Sequence, residues 1–318
     1  MDAVQQRLVH SDGWAPQGGY HAAAMHRLSR HAAALRRSAP ELRPAAAADE
    51  EAEEDARTPV CLVIGAGAGI GQGVATKFAA EGYHACVVRR GGGPSSLSDD
   101  STPGKFEEFV QGLRDAGGEA TAFFANGTEP EEVGELIETI ERDVGPIEVA
   151  IYNIGAQVGS RSLEKTSYRI FNLALSMGAV GAFALAKEVS PHMIKRGKGT
   201  IIYTSATAAY RGNAGQHAHT AAMGARKNLT QSISAELAPH GIHICHVNMD
   251  GPVDAPETIG KLMPEAFEKM LETKKPNDEL LLPESIADTY WHLHTQPRNA
   301  WTLDLDLRPW KEQAWFNS

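Results

Sequence analysis

The chain has 318 residues, of which 42% are hydrophobic and 22% are charged, and its formal net charge is −10. This length is enough for one large α/β domain or two small ones, and the composition is ordinary for a soluble globular protein. The negative charge argues against general nucleic-acid binding, and no apolar run approaches the length needed to span a bilayer. The three cysteines have a spacing that suits neither a zinc site nor a disulfide framework, so we expect free thiols in a reducing compartment.

Residues 1–57 differ in composition from the rest of the chain. The stretch 25–37 has the pattern of a basic amphipathic helix, and residues 1–44 contain six arginines but no lysine. This composition is typical of a segment that targets a mitochondrion or plastid, whereas the alternative is a helical extension that docks on this or a neighbouring subunit in the cytoplasm. Because 44–55 is rich in alanine and acids, we predict a linker there and a single domain over 58–318.

An apolar run, Val60–Ile64, ends in a glycine-rich segment that leads into a helical pattern over 72–80. A buried strand followed by glycines and a helix is typical of a phosphate-binding turn, since glycines let backbone N–H groups approach the phosphates and the helix N-terminus attracts anions. Gly65, Gly69 and Gly71 have the spacing G-x-x-x-G-x-G. The segment therefore predicts a dinucleotide site, and a flexible loop is the alternative.

Strand and helix patterns alternate through the rest of the chain. This alternation predicts an α/β fold, a Rossmann-type doubly wound parallel sheet of about seven strands with helices on both faces. The predicted strands are 60–64, 84–88, 121–125, 149–153, 200–204, 243–247 and an edge strand at 301–307, and helices are predicted at 72–80, 106–116, 131–143, 175–193, 220–237 and 263–272.

The residues after the second predicted strand indicate which dinucleotide is preferred. An acid at this point would bind the ribose hydroxyls of NAD, whereas an arginine can bind the 2′-phosphate of NADP. The chain has Arg89 and Arg90 here, with no acid before Asp99. Because guanidinium groups bind phosphate well, NADP(H) is favoured over NAD(H), and two surface arginines without a ligand are the alternative.

Several motifs in this order resemble the short-chain dehydrogenase/reductase family, over residues 60 to about 310. They are Ile64-Gly65 with Gly69-Ile70-Gly71, then Asn126-Gly127-Thr128, Tyr152-Asn153-Ile154-Gly155, the stretch 235–243, and Asp250-Gly251-Pro252-Val253. The resemblance implies an adenine contact at Asn126 and a nicotinamide carboxamide contact near Gly251 and Val253. It implies cofactor contacts at Gly65, Gly69, Ile70, Gly71, Asn126, Gly127, Asn153, Gly155, Gly251 and Val253.

The same resemblance implies a catalytic serine, a Tyr-x-x-x-Lys pair and an upstream asparagine. In this sequence the serine position falls on Ala206, with Ser205 beside it on the opposite strand face, and the tyrosine position falls on His219. The lysine position falls on Met223, and the asparagine position falls on Gly178. We therefore expect the ordinary catalytic set of this family to be absent.

Two interpretations follow from these substitutions. In one, the protein is an atypical oxidoreductase on carbonyl or hydroxyl substrates with His219 as its proton donor, because an unperturbed imidazole titrates near pH ~6.5. In the other, it is a catalytically inactive structural or regulatory subunit that keeps the fold, since a fold alone does not establish a reaction.

The expected partners are a small-molecule substrate and further copies of the chain. The resemblance implies a homodimer or tetramer in which the long helices before the fifth and sixth strands pair. Two H-x-H pairs, His217 with His219 and His292 with His294, have no third ligand at a supporting spacing, so no metal site is predicted.

Overall fold

A computed structural model describes residues 56–91, 103–256, 260 and 263–317. The predicted basic helix and acidic linker lie outside these residues, except for the last positions of the 1–57 segment, and so does the glycine- and serine-rich loop after Gly91. The predictions of a targeting segment and of a domain boundary at residue 57 therefore stay predictions.

Seven strands form one parallel sheet in the order β3-β2-β1-β4-β5-β6-β7, which confirms the predicted doubly wound fold. The order reverses between β1 and β4, and in such sheets ligands bind outside the carboxyl ends of the strands at this point. The strands are β1 (Val60–Ile64), β2 (His84–Arg89), β3 (Glu119–Phe124), β4 (Ile147–Tyr152), β5 (Gly199–Ala206), β6 (Ile242–Met249) and β7 (Asp304–Leu307).

The sheet has an apolar core on each face. All five residues of β1 are buried, and Cys61 and Val63 belong to one core while Leu62 and Ile64 belong to the other. Because successive strand side chains point to opposite faces, a strand buried on both faces is a continuous apolar run. This is why the sequence pattern locates β1 so well.

Helices cover both faces of the sheet. Most predicted helices are confirmed within a few residues. The helices are α1 (Ile70–Ala80), α2 (Pro103–Asp115), α3 (Pro130–Asp143), α4 (Tyr168–Leu175), α5 (Gly181–Arg196), α6 (His217–Leu237), α7 (Pro264–Thr273) and α8 (Pro283–His294).

The helix predicted over 175–193 is longer and is interrupted. It starts at Tyr168, and a π-helical turn at Ser176–Val180 separates α4 from α5. The whole stretch Tyr168–Arg196 is long and apolar enough to cross a membrane by length and composition. It packs on the sheet, however, because Leu185 and Val189 are fully buried in one of the two cores.

The last strand is shorter than predicted. Trp301 stacks on His243 with ring centroids 4.9 Å apart, and the Thr302 amide donates to the side chain of Gln296 at 2.9 Å. Trp301 and Thr302 make these contacts instead of pairing with β6 as strand residues, and β7 starts at Asp304.

Candidate functional site

The glycine turn after β1 has a backbone that only glycine adopts easily. Gly65 and Gly69 have φ values of 93° and 119°, and Gly69 caps the N-terminus of α1. A Cβ atom at Gly71 would lie 2.6 Å from the Gly65 carbonyl oxygen and 2.7 Å from the Ala66 Cα. The turn therefore packs tightly on itself at Gly71. At Gly67, by contrast, no atom lies within 4 Å of a Cβ built on the residue, so the backbone is open beside the N-terminus of α1, which fits a pyrophosphate.

Asn153, which directly follows the neighbouring strand β4, holds the glycine turn in place. The side-chain amide of Asn153 donates to the Gly65 carbonyl at 2.9 Å, and its backbone N–H donates to the Ile64 carbonyl at 2.8 Å. Gly127 packs against the same strand end, since a Cβ there would lie 2.4 Å from the Ile64 Cγ2. These residues hold the end of β1 in place whether or not they also contact a ligand.

Three further residues of the predicted cofactor set follow the carboxyl ends of β1, β3 and β4. The Asn126 side chain accepts hydrogen bonds from the Thr128 hydroxyl at 2.9 Å and the Thr128 amide at 3.3 Å, so it shapes the turn after β3. Gly155 is exposed, and no atom lies within 4 Å of a Cβ built on it. Ile70 is half-buried at the first position of α1.

Arg89 is the last residue of β2, at the carboxyl edge of the sheet, and Arg90 follows it. Arg89 is half-buried, and its guanidinium lies 5.5 Å from the centroid of the Phe106 ring, whereas Arg90 is exposed. The aromatic contact holds the first arginine near the edge where an adenosine ribose would lie.

Gly251 and Val253 lie beyond the end of β6. A Cβ at Gly251 would lie 2.6 Å from the Pro309 Cδ, so this residue approaches the C-terminal segment closely. Val253 is buried and pairs with Leu281 in an isolated bridge. The predicted cofactor positions thus come from the ends of β1, β2, β4 and β6 and from the turn after β3.

A cavity of about 240 Å³ opens beside the N-terminus of α6. His219 and Thr220 project from α6, and Ala206 and Thr207 come from the end of β5. The cavity is lined by Gln157, Ala206, Thr207, Ala208, Arg211, Asn213, Gln216, His219 and Thr220. The cavity thus brings together Ala206 and His219, the two residues at which the family resemblance implies the catalytic serine and tyrosine.

The His219 imidazole is mostly shielded from solvent. Burial lowers the pKa of His219, the Ala156 backbone carbonyl raises it in part by accepting a hydrogen bond, and the charge of Arg226 lowers it further. The Nδ1 atom is buried and makes no hydrogen bond. The ring is therefore neutral at neutral pH, and one of its nitrogens has no partner within the part of the chain that the structure describes.

Met223, where the family resemblance implies a lysine, has apolar surroundings. Met223 is 1% exposed and packs with Ala174, Ala218 and Ala222. The Ser205 hydroxyl is also buried and lies 3.9 Å from the Met223 sulfur, on the strand face turned away from the cavity.

Gly178 lies within the π-helical turn, against α6. A Cβ there would lie 2.6 Å from the Cβ of Ala222 and 2.9 Å from its carbonyl oxygen, so no larger residue fits without movement. The carbonyl of Gly178 instead accepts a hydrogen bond from the Arg226 Nε at 2.8 Å.

Sequence reasoning missed Arg226. This arginine is 1% exposed, and besides Gly178 it donates to the carbonyls of Thr204 at 2.5 Å, Ile154 at 2.8 Å and Met177 at 2.8 Å. Its guanidinium also lies 4.9 Å from the Tyr152 ring centroid. Burial lowers the pKa of Arg226 to about 10, which leaves it charged at neutral pH. The one available signal was its position three residues after Met223, on the same side of α6.

A larger surface groove, of about 630 Å³, lies elsewhere, between α2 and the edge strand β3. None of the predicted site residues lines it. Within the described residues, no group of three or more His, Cys, Asp or Glu side chains is arranged to hold a metal ion.

Comparisons with known proteins agree with this geometry. The family model for short chain dehydrogenases matches residues 59–260. The 2,3-dihydro-2,3-dihydroxybenzoate dehydrogenase of Bacillus subtilis is 25% identical over 237 residues, which are 72% of this chain and 86% of that protein. A crystal structure of a short-chain dehydrogenase from Rhodopseudomonas palustris has 29% identity and a TM-score of 0.64, and the match covers 80% of this chain and all of that one.

A metagenomic short-chain oxidoreductase crystallised with NADP shares the fold. Its TM-score is 0.63 at 20% identity, and the match covers 80% of this chain and 97% of that one. The matched family model spans more than half of the 318 residues, and the seven-stranded sheet with its helices has the fold of the solved structures it resembles. The chain therefore belongs to the short-chain dehydrogenase family.

Proposed function

We propose that the protein is an NADP(H)-dependent oxidoreductase that interconverts a carbonyl and a hydroxyl group, with His219 as the group that passes the proton. The observation that carries this proposal is the position of His219. Its imidazole lines a cavity at the carboxyl edge of the sheet, has a nitrogen without a hydrogen-bond partner, and stands where the resemblance implies the catalytic tyrosine.

The residues at the edge fit a dinucleotide. The open backbone at Gly67, together with the N-terminus of α1, suits a pyrophosphate. Arg89 and Arg90 would bind a 2′-phosphate, and the NADP bound to the metagenomic oxidoreductase supports this choice of cofactor. Bound there, the dinucleotide supplies or accepts the hydride.

The protonation state of His219 favours one direction of the reaction. In oxidation the neutral ring accepts the hydroxyl proton, and in reduction the protonated ring donates a proton to the carbonyl oxygen. Because burial lowers its pKa, the ring is in the accepting form at neutral pH. We expect oxidation of a hydroxyl group to be the faster direction at pH 7, and reduction to require a lower pH.

A second candidate function is a subunit that binds the dinucleotide without turnover. The observation that favours it is the surroundings of Met223, which is buried in an apolar cluster and carries no group that could bind the ribose. In this alternative the fold, the glycine turn and the assembly are kept and the serine, tyrosine, lysine and asparagine functions are lost.

The test compares two histidines of the same helix. His219→Phe keeps a ring in the cavity but removes proton transfer, whereas His217→Phe changes a residue that does not line it. Turnover of a panel of alcohols and ketones should fall by about 100-fold or more in His219→Phe and should be unchanged in His217→Phe. Equal rates in wild type and His219→Phe contradict the role of His219, and no turnover by the wild type with intact cofactor binding favours the inactive subunit.

Self-association belongs to the same proposal. The outer side of the α4–α5 stretch exposes large apolar residues: Leu173 is 47% exposed, Val180 41%, Phe183 51% and Ile194 38%. A row of this kind indicates a contact surface. We expect two copies of the chain to pair along this helix, as the family resemblance implies.

A further inference from the structure

We infer that the substrate is a small molecule rich in hydroxyl groups, and this inference rests on the proposed function of the cavity at His219. Ligand cavities are usually lined mainly by apolar and aromatic side chains. Among the residues that the structure describes, Ala206 and Ala208 are the only apolar residues of the lining, and no aromatic ring other than the His219 imidazole contributes. Seven of the nine described lining residues carry side-chain hydrogen-bonding groups, and a hydrocarbon would leave these groups without partners.

Three polar atoms of the cavity residues strengthen this inference. Gln216 Oε1, His219 Nδ1 and Thr220 Oγ1 are buried and have no hydrogen-bond partner in the described part of the chain. Leaving such an atom without a partner is costly once water is expelled. A hydroxyl group both donates and accepts, so it satisfies a glutamine amide or an imidazole in either orientation. A simple aliphatic ketone has no donor for Gln216 Oε1.

The size of the cavity limits the ligand further. About 240 Å³ lies below the usual volume of a site for drug-sized ligands, so only a short carbon chain fits beside a nicotinamide. Arg211 also lines the cavity, and none of the described lining residues of the cavity is an acid. The shared chemistry is therefore a short polyol chain, either neutral or ended by a carboxylate, and the experiment distinguishes these two.

The test uses three five-carbon probes with the full chain: xylitol, xylonate and 2-pentanol. Calorimetric titration in the presence of saturating NADP⁺ should show xylitol or xylonate binding at least tenfold more tightly than 2-pentanol. Tighter binding of xylonate than of xylitol indicates that Arg211 takes part, and equal binding indicates a neutral polyol. Binding of 2-pentanol that equals or exceeds that of both polyols overturns the inference.

Matched variants locate the binding. Gln216→Leu and Thr220→Val remove polar atoms of the cavity, and each should weaken the polyol by about tenfold while leaving 2-pentanol unchanged or tighter. The control is Gln111→Leu, which makes the same glutamine-to-leucine change at an exposed position of α2. It should alter the affinity for neither the polyol nor 2-pentanol. Polyol binding that neither cavity variant alters also overturns the inference, because the polyol then binds elsewhere.

The proposed function and this inference can fail separately. Polyol binding without turnover supports the substrate class and contradicts the oxidoreductase activity. Turnover of 2-pentanol without polyol binding supports the activity and contradicts the substrate class. If NADP⁺ does not bind, the same titrations on the chain alone decide the matter, and failure of both polyols to bind overturns the inference.

Discussion

The Arg226 guanidinium donates through Nε to the carbonyl of Gly178 at 2.8 Å, across the contact between α6 and the π-helical turn. Gly178 stands where the family resemblance implies an asparagine, and Arg226 lies three residues after Met223, where the resemblance implies a lysine. One buried cation thus ties together the π-helical turn, the end of β4 through Ile154, and β5 through Thr204. We interpret Arg226 as the residue that holds these three segments together beneath the cavity at His219.

The first prediction concerns Arg226. Replacement by methionine keeps the volume but leaves four carbonyls without this donor, so the free energy of unfolding should fall by about 3 kcal/mol or more. Arg226→Lys keeps the charge without the planar fork and should lose an intermediate amount. Urea denaturation measures both, with the exposed Arg169→Met as a control within about 0.5 kcal/mol of wild type. A loss no larger than that of the control contradicts the interpretation.

The second prediction concerns the glycine turn. In Gly71→Ala the new Cβ would lie 2.6 Å from the Gly65 carbonyl oxygen, so the turn must shift and NADPH should bind at least tenfold more weakly. The control is Gly112→Ala, on the exposed side of α2 with open space around it, which should bind NADPH normally. Fluorescence titration measures both, and an unaltered affinity in Gly71→Ala means that this turn does not hold the cofactor.

The third prediction concerns the two arginines after β2. The double variant Arg89→Gln, Arg90→Gln removes the cations proposed to bind the 2′-phosphate but leaves the pyrophosphate turn intact. Its affinity for NADPH should fall by about tenfold or more, since a hydrogen bond to a charged group contributes about 1.5–3 kcal/mol, while its affinity for NADH stays the same. Parallel losses for both dinucleotides are the result that removes the arginines from cofactor selection.

The fourth prediction concerns stability in acid. Burial lowers the pKa of His84, His219, His243, His246 and His294, so the folded protein binds fewer protons than the unfolded chain at a pH just below ~6.5. The free energy of unfolding should therefore fall as the pH is lowered below this value. Each histidine contributes up to about 1.4 kcal/mol per pH unit within its window.

Urea midpoints at pH 7.5 and 5.5 measure this dependence. His219→Asn removes one of the five titrating groups together with the hydrogen bond that the ring donates to the Ala156 carbonyl, so the test compares the change in stability between the two pH values and not the stability at either one. Its pH dependence should be smaller than that of wild type by up to one proton. Stability that stays level or rises between pH 7.5 and 5.5 contradicts the assignment of neutral, buried histidines.

The fifth prediction concerns assembly. Phe183 is 51% exposed on the outer side of α5, within the apolar row proposed as the contact between copies. Phe183→Glu places a charge in that contact and should convert the assembly to monomers in light scattering coupled to size exclusion. The control is Phe316→Glu, at an exposed phenylalanine near the C-terminus, and it should keep the wild-type mass. A wild-type mass for Phe183→Glu places the contact elsewhere.

Much of the fold could be predicted from the sequence, because strands buried on both faces must be continuous apolar runs. Val60–Ile64 is the clearest case, and the glycines after it follow from the backbone that the turn requires. The π-helical turn at Ser176–Val180 could not be predicted, since the apolar pattern continues through it without a proline or a change of composition.

The site was predictable only in part. His219 was predicted from its place in the family pattern, and it lines one cavity with Ala206, while its role stays a prediction. Arg226 was missed because an arginine on a helix is ordinarily exposed, and its partners are backbone carbonyls from distant segments, which no sequence motif encodes. The polar lining of the cavity was missed for the same reason, since Gln157 and Gln216 are far apart in the sequence and line the same cavity only in the folded chain.

The most direct test of the central claim is a fluorescence titration of the full chain with NADPH and, separately, with NADH. The glycine turn and the two arginines predict that both dinucleotides bind and that NADPH binds at least tenfold more tightly. Failure of both to bind at millimolar concentration contradicts the account, because the active and inactive interpretations alike require a dinucleotide at the end of β1.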